Sequence, residues 1–99
     1  MEKYLPIGTV VLLHDGEKTI MIYGRQQLHT ETNAVYDYVA CLYPEGNIDA
    51  EYTYLFNHDQ IREVVHMGHV NDDEKEFLIF LEEESKRLIA DNENLNGEK

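Results

Sequence analysis

The feature that most constrains the fold is a change of hydrophobic period near residue 70. Before it, apolar and polar residues alternate over short stretches, which is the two-residue period of strands with one buried face. After it, apolar residues return every three or four positions, which is the period of an amphipathic helix. We therefore expect an α+β fold, with a β-rich part followed by one C-terminal helix.

Five short strands are expected before the change of period. The Asp-Gly pair of "DGEK" at Asp15–Lys18 is typical of a tight hairpin, and "PEGN" at Pro44–Asn47 is typical of a turn. The polar segment Gln26–Ala34 has little period of its own and is interpreted as a connection. The predicted strands are Ile7–Asp15, Thr19–Arg25, Val35–Tyr43, Glu51–Phe56 and Arg62–Val70.

A single helical turn is expected before the last strand. Asn57 is a favourable N-cap, and Gln60 three residues later completes a capping box, which predicts a turn at Asn57–Ile61. Short strands with such a turn indicate a small, strongly bent antiparallel sheet or an SH3-like barrel.

The C-terminal helix is predicted to run from Asn71 to Ala90. Asn71 can cap it, and Glu74 can complete a second capping box. The apolar residues of the predicted helix fall mainly on one arc of its surface, which contains Phe77, Leu78, Leu81, Leu88 and Ile89. We expect a single domain over residues 1–90, with strands within 7–70 and a helix over 71–90. Residues 91–99 have nothing to bury and are expected to be a disordered tail.

The charge balance limits the partners of the chain. It has 20 Asp and Glu residues against 8 Lys and Arg, a formal net charge of −12. Nucleic-acid phosphates and anionic membrane surfaces repel such a chain, so neither is an expected partner. The charge either serves solubility or complements a basic protein partner.

The compartment is predicted from what the sequence lacks. Cys41 is the single cysteine, so no internal disulfide can form. The first residues lack a signal-peptide pattern, and no apolar run has the length of a membrane span. We expect a cytoplasmic protein.

No catalytic residue, metal ligand or cofactor is predicted. On the expected last strand, His66 and His69 point to opposite faces and cannot share a metal ion. Cys41 is interpreted as a small buried hydrophobe. Ser85, the only serine, lies on the helix and lacks the strand-to-helix turn that exposes a hydrolase serine.

Tyrosines and the helix supply the candidate partner-binding residues. The pairs Tyr36/Tyr38 and Tyr52/Tyr54 each share a strand face, where they line the rim of a small core or meet a partner. Two apolar side chains fall outside the apolar arc of the helix and indicate a docking face or a dimer, although single exposed apolar residues are also common. The residues predicted to bind a partner are Tyr52, Tyr54, Ile79, Phe80 and Glu83.

Three motifs in combination resemble a known family. "LPIGTVV", "YDY…YPEG" and "FN…I…VV…G", within about residues 3–85, are similar to domain of unknown function 4176, small proteins of Gram-positive bacteria. Genes of this family often lie beside type VII secretion loci and LXG toxins. The resemblance implies a cytoplasmic accessory protein that contacts a secreted toxin or a companion small protein. It implies no catalytic residues, and it matches Asn57 and Gly68, which we interpret as a turn cap and a site of bending or close backbone approach.

These observations leave three hypotheses. The first is a non-catalytic interaction module, an adaptor or chaperone-like accessory of type VII secretion, which could also form a homodimer. The second is an immunity protein that neutralises a cognate, basic toxin by complementary charge. The third is a small enzyme or metal-binding protein, which metal analysis of protein purified without a histidine tag would distinguish.

Overall fold

The protein folds as a five-stranded antiparallel sheet followed by one helix, and the computed structural model describes residues 4–97, with side chains described as far as Arg87. The chain forms two compact units, one ending at His69 and the other beginning at Val70. The elements are β1 (Val10–Leu13), β2 (Ile20–His29), β3 (Ala34–Leu42), β4 (Tyr54–Phe56), β5 (Ile61–His66) and α1 (Asp72–Gly97). The predicted α+β class is confirmed.

The sheet is bent but not closed. Its strand order is β4-β3-β2-β1-β5, so β4 and β5 are the two edges. A flat sheet would separate these edges by four intervals of about 4.8 Å each. The chain joins them through only Asn57–Gln60, which contains a 3-10 turn that advances about 2 Å per residue. The sheet must therefore curve, and of the two predicted alternatives the bent open sheet is correct and the barrel is not.

The segment Gln26–Ala34, predicted to be a polar connection, belongs mostly to the central hairpin. β2 continues to His29 and pairs with β3 from Ile20↔Leu42 to His29↔Ala34. The hairpin turn closes at Asn33, whose φ of 58° lies in the left-handed region that asparagine tolerates. A register shift between Ile22 and Gly24 interrupts the alternation, and this irregularity hides the strand from a period-based prediction.

The fourth strand is shorter than predicted. The strand expected at Glu51–Phe56 comprises only Tyr54–Phe56, because Ala50–Tyr52 forms a 3-10 helix. Asp49 caps this helix through its Oδ1 atom, which accepts the backbone N–H of Glu51 at 2.8 Å. A local side-chain hydrogen bond therefore outweighs the strand propensity of the tyrosines.

The turn before β5 is confirmed. A capping box joins Asn57 and Gln60, in which Gln60 Oε1 accepts the backbone N–H of Asn57 at 2.8 Å. The strand that follows ends at His66 rather than at Val70. The prediction that His66 and His69 alternate on one strand is therefore wrong, since His69 lies beyond β5.

The core of the sheet unit is built from β1, β2, β3, the end of β4 and the segment before β1. Tyr38 and Phe56 are its largest fully buried side chains, and their ring centroids lie 5.4 Å apart. Ile20 and Ile22 are both buried, as the alternation of β2 predicts. The other buried residues of this unit are Tyr4, Pro6, Thr9, Val10, Val11, Val39, Ala40 and Cys41.

Gly68 lies where two backbone segments cross, which confirms its predicted close approach. A Cβ atom on Gly68 would overlap the carbonyl group of Ile7 and lie 3.0 Å from the backbone nitrogen of Thr9. The buried hydroxyl of Thr9 accepts the N–H of Gly68 at 3.0 Å and donates to the carbonyl of Pro6 at 2.7 Å. This contact ties the segment after β5 to the one before β1.

The helix begins as predicted. Asn71 Oδ1 accepts the backbone N–H of Glu74 at 2.9 Å, and Asp72 is the first helical residue. Helical backbone continues past the predicted end at Ala90, to Gly97. The tail predicted to be disordered, 91–99, lies partly outside the described residues, and its disorder stays a prediction. No helix in the described part of the chain has the length and apolar character needed to cross a membrane.

Candidate interaction surfaces

The most concentrated polar chemistry lies around Tyr38. Its hydroxyl is 2.7 Å from Nδ1 of His58 and accepts the backbone N–H of Leu5 at 3.0 Å. Asp37 Oδ2 accepts the backbone N–H of His58 at 2.9 Å, and Asn57 Oδ1 accepts the backbone N–H of Asp37 at 3.1 Å. Burial raises the pKa of Tyr38 to about 12, so its hydroxyl stays protonated at neutral pH.

This network joins elements of the fold. It links the N-terminal segment, β3 and the turn before β5 through the atoms of one buried phenol. In a catalytic triad, a carboxylate accepts a hydrogen bond from the histidine ring and orients it. Here Asp37 accepts the backbone N–H of His58 instead, and the ring of His58 is hydrogen-bonded to the hydroxyl of Tyr38. We therefore assign the network to the stability of the sheet unit.

The other reactive side chains are dispersed. Cys41 is free and buried in β3, as its interpretation as a small hydrophobe predicts. Among the residues that the structure describes, no group of three or more His, Cys, Asp or Glu residues is arranged to hold a metal ion.

The two predicted tyrosine pairs have different outcomes: Tyr36 and Tyr38 lie two residues apart on β3, whereas Tyr52 and Tyr54 lie in different elements. Tyr38 is buried in the core, whereas Tyr36, two residues earlier on β3, is half-buried. Tyr52 lies in the 3-10 helix and Tyr54 in β4, so the expectation that these two share a strand face is wrong. Both side chains are exposed.

The first exposed apolar surface lies on α1. Ile79 is 61% exposed and Phe80 is 52% exposed, which places both predicted residues on the solvent side of the helix. Leu81 is buried, and Phe77, which the apolar arc predicted to be covered, is 47% exposed. The rings of Phe77 and Phe80 stack with centroids 5.7 Å apart. We call Phe77, Ile79, Phe80 and the acidic residues between them, Glu76 and Glu83, the helix face.

The acidic residues of the helix face are set by helical geometry. At about 100° per residue, Glu76 and Glu83 both fall between Ile79 and Phe80 around the helix axis. Both carboxylates are exposed. The helix face is therefore an apolar surface crossed by negative charge.

The second surface is a groove in the sheet unit. One depression of about 370 Å³ is lined by Leu13, His14, Asp15, Gly16, Tyr54, Asp59 and Gln60. A smaller one of about 110 Å³ is lined by Leu13, Gly16, Glu17, Lys18, Ile20 and Tyr54. Both share Leu13, Gly16 and Tyr54, so they are two halves of one groove between the β1–β2 loop and β4. We call it the Tyr54 groove.

The sequence identified one member of this groove. Its aromatic pairing indicates Tyr54, and Asp59 follows five residues later, but Leu13 and Asp15 come from a distant part of the chain. The hairpin signal includes Asp15 and the predicted helical turn includes Asp59, and neither pattern indicates that both side chains line one depression with Tyr54. The bend of the sheet brings the β1–β2 loop to β4, and no local sequence pattern indicates this approach.

Comparison with known proteins identifies the family. A model of the family described as domain of unknown function (DUF4176) matches residues 4–77, three quarters of the chain. The chain belongs to the DUF4176 family. The match covers the sheet unit of this DUF4176 protein, including the Tyr54 groove, and ends within the first turns of α1. Ile79, Phe80 and Glu83 lie beyond it.

Two further comparisons found no relatives. Neither the curated proteins nor the solved structures contain a match to this chain.

Proposed function

We propose that this DUF4176 protein is a non-catalytic protein-interaction module, acting as a cytoplasmic adaptor of type VII secretion that binds a secreted toxin or a companion small protein. The observation that carries the proposal is the helix face. Its three large apolar side chains are about half or more exposed on a helix of a highly charged chain. Exposed apolar side chains grouped on one face are typical of an interaction site.

The chemistry of the helix face selects its partner. Phe77 and Phe80 offer a stacked aromatic surface, and aromatic residues are enriched in interface cores. Glu76 and Glu83 favour a partner that places Lys or Arg beside apolar residues. An amphipathic helix with a cationic edge meets both requirements, because its apolar residues recur along one side.

A second copy of the chain is a poorer occupant than such a partner. Each copy carries a net charge of −12, so two copies would bring carboxylates against carboxylates across the helix face. Light scattering after size exclusion is expected to show a monomer. A dimer that Phe80→Ser converts to monomers would assign the helix face to self-association instead.

The adaptor role is tested by copurification. The tagged protein is expected to recover the product of a neighbouring gene, and Ile79→Ser with Phe80→Ser is expected to lower that recovery about ten-fold or more, since buried aromatic anchors dominate interface energies. Leu28→Ser is the matched control, because Leu28 on β2 is 57% exposed and lies outside the helix face. Absence of a specific partner, or equal losses in both variants, would refute the proposal.

The second candidate function is an immunity protein, which the charge of −12 favours. Such a protein would cover a basic toxin by charge complementarity and rescue cells that express this toxin. An adaptor would instead change the amount of toxin exported and leave the toxicity inside the producing cell unchanged. Co-expression with the toxin, with growth and export measured together, separates the two functions.

A further inference from the structure

We propose that the Tyr54 groove binds an extended, cationic peptide segment of a protein partner. In this proposal an aliphatic side chain of the segment packs against Leu13 and Tyr54, and a neighbouring Lys or Arg lies against Asp15 and Asp59. The groove is separate from the helix face and would bind its ligand whether or not the helix face has a partner.

The apolar part of the groove is available to a ligand. Tyr54 is 37% exposed and contributes to both halves, while Leu13 and Ile20 complete the walls. Tyrosine suits this position because its ring packs against aliphatic groups and its hydroxyl stays in water. Two compartments that share Leu13, Gly16 and Tyr54 fit successive side chains of an extended segment better than one compact molecule.

The charge of the groove defines the ligand as cationic. Three exposed carboxylates border it, from Asp15, Glu17 and Asp59. The single lysine on its rim is already paired, since Lys18 Nζ lies 2.8 Å from Glu45 Oε1. The hydrogen bond from Lys18 lowers the pKa of Glu45, which keeps this pair ionised at neutral pH. One further cation approaches the groove, since Arg62 Nη2 donates to the carbonyl of Gly16 at 3.4 Å, and the three carboxylates outnumber it. This excess of negative charge attracts an external cation, and the face of Tyr54 can add a cation–π contact.

The groove also has a stable frame. The backbone N–H of His14 donates to the carbonyl of Gln60 at 2.9 Å, which joins the β1–β2 loop to the turn before β5. Gly16 donates its N–H to the carbonyl of Leu13 at 3.1 Å and closes the loop. Asp15 and Asp59 are therefore carried by segments that are hydrogen-bonded to each other, so little order has to be gained on binding.

The test uses the full chain and two pools of synthetic peptides. In the first pool of ten-residue peptides, an arginine or lysine stands two residues from a leucine or proline, and in the second pool glutamate replaces the cation. Fluorescence polarisation is expected to show binding of the first pool only. NMR shifts are expected at Leu13, Gly16 and Tyr54.

Variants separate the groove from the general acidity of the chain. Tyr54→Ala is expected to weaken binding about ten-fold. Asp15→Asn with Asp59→Asn is expected to weaken it about five-fold and to reduce its salt dependence, because each exposed ion pair contributes modestly. Glu31→Gln, an exposed carboxylate on the β2–β3 turn, is the control and should leave binding unchanged.

The proposal would be overturned if no peptide bound, if both pools bound equally, or if the NMR shifts were confined to α1. It would also be overturned if Glu31→Gln weakened peptide binding as much as Asp15→Asn with Asp59→Asn. The Ile79→Ser and Phe80→Ser variant should bind the peptide as wild type does. If this variant still binds the peptide but no longer recovers the partner, the two sites are independent.

Discussion

At the scale of single residues, the sheet unit depends on side chains that bridge distant segments. Tyr38 is the clearest case, because its one hydroxyl meets Leu5 from the N-terminal segment and His58 from the turn before β5. The fully buried ring also packs on Phe56. A residue that the sequence indicates as half of a tyrosine pair is therefore a central hydrogen-bonding group of the core.

The pKa of Tyr38 predicts how stability responds to alkali. Its pKa in the native protein is raised to about 12, against an ordinary value of 10.0. The stabilisation of the native protein that is linked to the protonated Tyr38 hydroxyl is therefore fully present below pH 10. It is lost as the pH rises toward 12, because the unfolded chain releases this proton at a lower pH than the native protein does. We expect a loss of about 2–3 kcal/mol over this range, measured by urea unfolding.

The Tyr38→Phe variant isolates this effect. It should lower the free energy of unfolding by about 1–3 kcal/mol at neutral pH, since two hydrogen-bonding partners lose the hydroxyl. Its stability should then fall less between pH 10 and 12 than that of the wild type. Tyr36→Phe on the same strand is the control. If the free energy of unfolding fell equally between pH 10 and 12 in the wild type and in Tyr38→Phe, the assignment of this effect to Tyr38 would be contradicted.

Gly68 carries a prediction of steric origin. In Gly68→Ala the new methyl group would overlap the carbonyl of Ile7, so the crossing of the two backbones must open. We expect a loss of about 2–3 kcal/mol in the free energy of unfolding. Gly16→Ala is the matched control, because its added Cβ would only reach ordinary contact with Leu13 Cβ at 4.0 Å. Similar stabilities for the two variants would refute this account.

At the scale of elements, the sequence predicts best where one local signal acts alone. The change of period near residue 70, the capping box at Asn57 and the start of α1 all appear as expected. The predictions fail where signals compete. The strand at Glu51 is replaced by a capped 3-10 helix, and the register shift in β2 conceals the strand residues after Gly24.

The candidate sites follow the same physical rule. The exposure of Ile79 and Phe80 is predicted because the period of one helix assigns its faces, but the same period wrongly places Phe77, which is 47% exposed, on the covered face. The Tyr54 groove is assembled from the β1–β2 loop, β4 and the turn before β5. The strand order alone leaves β4 and β1 separated by β3 and β2, so the bend of the sheet brings these segments together, and no local pattern in the sequence encodes that bend.

The start of α1 supplies a prediction at this scale. Asn71→Ala removes the acceptor for the backbone N–H of Glu74 and should lower the free energy of unfolding by about 1 kcal/mol. Asn71→Ser retains a capping oxygen and should be close to wild type. Circular dichroism at 222 nm during urea unfolding reports the helix directly. Equal destabilisation by serine and alanine would show that the cap contributes nothing.

At the scale of the whole molecule, the two proposed surfaces belong to different units of the chain. The Tyr54 groove lies in the sheet unit and within the segment that matches the DUF4176 model. The exposed Ile79 and Phe80 lie in the helical unit, beyond that match. The groove therefore lies within the family domain, whereas the helix face crosses the end of the match, with Glu76 and Phe77 inside it and Ile79, Phe80 and Glu83 beyond it.

Net charge also acts on the whole molecule, and it predicts the response to salt. A net charge of −12 on 99 residues destabilises the compact state by self-repulsion. Raising NaCl from about 0.01 M to about 0.1 M shortens the screening length from about 30 Å to about 10 Å. The free energy of unfolding should therefore rise by on the order of 1 kcal/mol, measured by thermal and urea unfolding at neutral pH.

A charge-reduced variant distinguishes repulsion from other effects of salt. Glu31→Gln with Glu51→Gln removes two exposed carboxylates and changes the formal net charge from −12 to −10, that is −12 plus 2. This variant should be more stable than wild type in dilute buffer and should gain less from added salt. Because screening weakens attraction and repulsion alike, a fall in wild-type stability with salt would mean that ion pairs such as Lys18–Glu45 outweigh the repulsion among the carboxylates.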